Sequence, residues 1–93
     1  MHDRLSFIDR PLPASFDLRV FAVAPGHERL YDEAEWRGAL VVLERGEIEL
    51  ECVAGGRLRC HAGAVLWLVG LPLRALCNPG PETALLAAVS RRR

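Results

Sequence analysis

Ninety-three residues, 51% of them apolar and 26% charged, make a chain able to fold around one core and far from the low-hydrophobicity, high-charge profile of disorder. The formal charge is zero, every basic residue is an arginine, and only Arg91-Arg92-Arg93 are clustered, so the chain carries no broad positive field for nucleic acid and the triplet reads as a solvated tail. The absence of lysine and glutamine beside abundant Ala, Leu and Arg points to the codon bias of a GC-rich, bacterial genome.

Residues 1–15 mix Leu5-Ser6-Phe7-Ile8 with Pro11 and Pro13, which lack amide hydrogens, and read as an edge strand or extended arm. Asp3, Arg4, Asp9 and Arg10 interrupt any secretory signal, which gives the expectation of a cytoplasmic protein. Phe16 to Ala24 alternates as a strand buried on much of both faces, and Pro25-Gly26 ends it. His27 to Gly38 is polar around Leu30, Tyr31 and Trp36 and fits a strand, a loop or one helical turn.

Ala39 to Glu44 is an apolar strand, and Arg45-Gly46 supplies a hairpin turn in which glycine takes positive φ freely. Glu47 to Val53 then alternates, with Ile48, Leu50 and Cys52 on a core face and three glutamates on a wet one. A three-residue loop at Ala54-Gly55-Gly56 predicts the pairs Cys52–Leu58, Leu50–Cys60, Glu51–Arg59 and Glu49–His61. Ala62-Gly63 turns into a strand over Ala64–Val69, and Trp67 within it is expected to fill the core. The run from Ala62 to Leu73 is too short and too broken to cross a bilayer as a helix. Arg74 to Cys77 and Thr83 to Val89 complete the strands, the last chosen over a helix from context, with Asn78-Pro79-Gly80 turning between them. Three cysteines without CxxC spacing read as reduced thiols.

Strands about every ten residues predict an all-β antiparallel barrel in one domain over residues 16–90, between an arm at 1–15 and a basic tail at 91–93. The segment Leu40-Val41-Val42-Leu43-Glu44-Arg45-Gly46-Glu47-Ile48-Glu49-Leu50, then Gly55-Gly56, Leu58, Ala62-Gly63-Ala64-Val65, Pro72 and Asn78-Pro79-Gly80, resembles the two motifs of the cupin family of small β-barrels. The resemblance implies a jelly roll over about residues 26–89. In metal-binding cupins two histidines and a carboxylate come from the first motif and one histidine from the second. Here those positions fall on Glu33 and Glu35 (or Asp32 and Ala34), on Ala39, and on Arg74, so the usual ligands are missing.

If residues 27–38 are a strand, Glu33 and Glu35 share a face and approach Arg74 across the barrel mouth, replacing a metal with an ion pair and leaving a site for an anionic ligand beside Trp36. A solvated acidic rim is the competing reading. His27 and His61 are the fallback metal candidates, His61 being expected to face outward, and Cys77 is expected on the opposite face from Arg74, three residues away. Trp36 suits a rim or an interface. The expected function is a non-catalytic small-molecule-binding or interaction module, without cofactor, nucleic acid or membrane, working as a homodimer whose arm covers a sheet edge. The alternative is a metal-dependent cupin-type isomerase or dioxygenase with non-standard ligands.

Overall fold

The computed structural model describes residues 6–8 and 11–92. Eight strands and one helical turn follow in order: β1 (Phe16–Val23), β2 (Glu28–Leu30), α1 (Glu33–Trp36), β3 (Ala39–Arg45), β4 (Glu47–Cys52), β5 (Arg57–His61), β6 (Val65–Leu66), β7 (Leu73–Cys77) and β8 (Ala84–Arg91). They form two four-stranded antiparallel sheets, ordered β1-β8-β3-β6 and β2-β7-β4-β5, rather than one closed cylinder. The core lies between them, where Val41, Leu43 and Leu86 of the first sheet meet Ile48, Leu50 and Leu76 of the second. No helix among the described residues is long and apolar enough to cross a membrane.

Gly46 does not close a hairpin within one sheet, as its turn signal suggested, but carries the chain from β3 in the first sheet to β4 in the second. Its φ is 78°, and a Cβ there would lie 3.0 Å from the Ala84 Cα and 3.1 Å from the Thr83 carbonyl oxygen. Only glycine meets both demands.

The β4–β5 hairpin keeps the expected faces but not the expected partners. Ile48 pairs with Cys60, Glu49 with Arg59, Leu50 with Leu58 and Glu51 with Arg57. The Cys52 amide donates to the Gly56 carbonyl, so the three loop residues are Val53, Ala54 and Gly55, and Gly55 takes the positive φ of 98°. Moving the loop by one residue moves every partner by two, which preserves the period-two faces.

Strand β8 runs to Arg91, and Arg92 donates its amide to the Ser15 carbonyl and its guanidinium to Asp17, so the tail is held as far as residue 92. The expected strand at 64–69 shrinks to Val65–Leu66. Beyond it Leu68 turns inward and Trp67 outward, 55% exposed, which corrects the expectation that Trp67 fills the core. Trp36 takes the interior place instead, fully buried and tilted against Phe21 with ring centroids 4.5 Å apart.

Asn78 pins the junction of the β1–β2 turn, β7 and the loop before β8. Its buried side-chain amide donates to the Val23 carbonyl (2.8 Å) and the Glu82 carbonyl (2.7 Å) and accepts from the Gly80 amide (2.9 Å). The bond to the Val23 carbonyl satisfies a group that burial would otherwise leave without a partner, and the other two are partly buried.

Candidate functional site

Glu33, Glu35 and Trp36 lie on the helical turn α1, capped by Asp32, whose carboxylate accepts from the Ala34 amide at 3.0 Å. On a helix, residues two apart point about 200° from one another, so Glu33 and Glu35 diverge rather than share a face. Glu33 pairs with the exposed Arg37 at 2.8 Å. Glu35 pairs with Arg29 at 2.6 Å, while Arg19 donates to its main-chain carbonyl. The Arg29 guanidinium also sits 4.6 Å from the Phe21 ring centroid, and Phe21 packs in turn against the buried Trp36.

Arg74 meets neither Glu33 nor Glu35. Residues Glu51 and Cys52 of β4 face Ala75 and Leu73, so Arg74 is the extra residue of a β-bulge. The bulge turns its side chain outward to Glu51 and to Glu28, the latter at 2.5 Å. It also brings Cys77 to the same side, its Sγ 3.8 Å from Glu28, against the opposite face expected for residues three apart. The hydrogen bond from Arg74 holds the Glu28 carboxyl below its usual range, and Glu28 and Glu51 push the Arg74 guanidinium up. Burial, then Glu51 and Glu28, push the Cys77 thiol up despite the opposing Arg74, so the thiol is not activated toward thiolate.

The ion pairs continue across the outer face of the second sheet. Arg57 reaches Glu49 and Glu51 at 3.0 Å each, Arg59 lies 3.7 Å from Glu47 and 3.6 Å from Glu49, and His61 lies 4.0 Å from Glu47. His27 is remote in the β1–β2 turn, its Nδ1 3.2 Å from the Pro25 carbonyl. Among the described residues no three His, Cys, Asp or Glu side chains converge on one point. The positions that the cupin resemblance would assign to a metal do not fit one: Ala39 has no donor, Glu33 and Glu35 diverge, and Arg74 is a cation already occupied by two carboxylates.

The outer face of the first sheet is different in character. Alternation turns Leu18 and Val20 of β1, Leu85, Ala87 and Val89 of β8, Leu40 and Val42 of β3, and Val65 outward. The described residues of the arm, 6–8 and 11–15, meet this face, and the rest of the expected arm lies outside the described residues. The Ser6 hydroxyl and the Phe7 amide donate to Glu44 at 2.7 and 2.8 Å, and Phe7, Leu12 and Pro13 wall a trough of about 410 Å³ over Leu40, Val89 and Trp67. The trough shares Gly38 and Arg91 with a wider cleft of about 780 Å³ that also meets Arg37, Arg92 and Asp17. Arg37 and Arg92 are paired with Glu33 and Asp17, whereas Arg91 has no ion-pair partner among the described residues.

No family model matches the chain, and no curated protein is significantly similar to it.

Neither Trp67 nor Arg91 is prominent as a surface residue in the sequence. Trp67 is flanked by four apolar residues and Arg91 opens an arginine triplet. The usable signal is parity: counted in steps of two, Val65 and Trp67 fall together, as do Ala87, Val89 and Arg91, and both sets belong to the outer face of the first sheet.

Proposed function

We propose that the chain is a non-catalytic binding and interaction module on a cupin-like jelly-roll scaffold, working as a homodimer and taking a small anionic ligand on the outer face of its first sheet. The strand order supports the scaffold, since consecutive strands pass between two four-stranded sheets in the manner of a double Greek key. Charged side chains of the second sheet are committed to one another, and beside α1 the buried Trp36 packs on Phe21 with Arg29 over the Phe21 ring, which supports binding on the outside rather than chemistry within.

The observation that carries the reading is β1. It is eight residues long, it is bonded along one edge to β8 and, among the described residues, to no strand along the other, and it presents Leu18 (39% exposed) and Val20 (50% exposed) outward beside that second edge. A long apolar edge strand is a template for another strand, and a second copy supplies one by two-fold symmetry. Light scattering on the purified chain is expected to give twice its 10.3 kDa mass, and Val20→Glu, which sets carboxylates against each other across the two-fold axis, is expected to give one chain mass with the fold retained. A monomeric wild-type chain at tens of micromolar, on the order of working concentrations for weak dimers, would overturn the reading.

A further inference from the structure

We propose that the trough between the arm and the first sheet binds a free medium-chain carboxylate, its chain lying over Leu40, Val89 and Trp67 and its head group held by Arg91. The inference deepens the binding-module reading by naming the ligand class. The trough, about 410 Å³, lies within the range of small-ligand sites, roughly 300–1,000 Å³. The floor is apolar on three elements, and Phe7 and Leu12 close one side. An apolar trough of this kind favours a hydrocarbon chain over a sugar or a nucleotide base, whose polar edges would lose water there without gaining partners.

The charge at the mouth sets the head group. Arg37 and Glu33 neutralise each other, as do Arg92 and Asp17, so the only cation around the cleft left without a counter-charge among the described residues is Arg91. One fixed positive charge matches one negative charge, and a planar guanidinium matches a carboxylate through two parallel hydrogen bonds. Arg91 stands opposite Phe16 across the β1–β8 ladder and two residues beyond Val89, on the same outward face. A carboxylate bound to it therefore points its chain onto the apolar floor.

Trp67 reports occupancy, because Trp36, the other tryptophan, is wholly buried and shielded from quenchers. Decanoate titrated into the whole chain is expected to protect Trp67 from acrylamide. Octanoate should bind about tenfold more weakly, since each buried methylene contributes about threefold to fourfold. Arg91→Gln should weaken decanoate by about tenfold or more, while Arg57→Gln on the other sheet changes nothing. Decyltrimethylammonium, with the same chain and the opposite charge, should bind at least about tenfold more weakly than decanoate. Failure of decanoate to protect Trp67, equal binding to the Arg91→Gln variant, or equal binding of the two amphiphiles would each overturn the proposal. Any of these in a chain that is dimeric removes the ligand class alone, whereas a monomeric chain removes the module reading.

Discussion

Arg74 holds Glu28 and Glu51 at once, and its hydrogen bond keeps the Glu28 carboxyl below the ordinary value of 4.5. Because the folded value is the lower one, the stabilisation is in full force above the unfolded value and disappears as pH falls through the folded value, in the acid range below 4.5. Arg74→Ala is therefore expected to lower stability at neutral pH and to flatten its decline in acid, which thermal melts between about pH 3 and pH 7 would show. A decline as steep as that of the wild type would mean that other carboxylates carry it. The sequence places Arg74 at a barrel mouth facing Glu33 and Glu35, whereas it lies on the outer face of the second sheet with Glu28 and Glu51. Its partners depend on the bulge opposite Glu51, and nothing in Leu73-Arg74-Ala75-Leu76 announces an extra residue. The two tryptophans exchanged roles for a related reason. Trp36 has charged neighbours in sequence, yet a single helical turn sends it inward, while Trp67 sits among apolar residues just beyond β6, whose outer face is itself apolar.

The strands were legible because alternation survives: β1, β3, β4, β5, β7 and β8 all fall where the apolar periodicity and turn signals put them. Partners were less legible than faces. Gly55 and Gly56 are both able to take positive φ, and choosing between them moves the β4–β5 pairs by two residues without moving any side chain to the wrong face. The sheet to which a strand belongs was not legible either, since the Gly46 corner and a hairpin turn share one sequence signal. Asn78 shows the same limit. Its place before Pro79-Gly80 marks a turn, but its three hydrogen bonds to Val23, Glu82 and Gly80 depend on the tertiary junction. Asn78→Ala is expected to cost about 2–4 kcal/mol, because the buried Val23 carbonyl left without a donor costs about 1–3 kcal/mol and the two partly buried bonds are lost with it. The corresponding fall in Tm is on the order of 10–20 °C for a domain of this size. A fall of less than about 4 °C, equivalent to about 1 kcal/mol, would mean that water replaces the amide.

At the scale of the whole molecule the two sheets present opposite surfaces. The second is laced with arginine–glutamate pairs, each partly exposed and of small individual worth, about 0.2–1 kcal/mol for exposed pairs of this kind. The first is apolar, met by the described part of the arm, and, among the described residues, open along β1. The sequence shows the acidic and basic residues of the second sheet alternating across a hairpin, so that surface could be read in advance. The first could not, because strands apolar on both faces leave the direction of the core undetermined until the second sheet is in place. The account rests on that open face, and hydrogen–deuterium exchange of the β1 amides at several protein concentrations tests it most directly. Pairing through β1 predicts that the amides not bonded to β8 gain protection as concentration rises, and lose that gain in Val20→Glu. Free exchange of those amides at every concentration would contradict it.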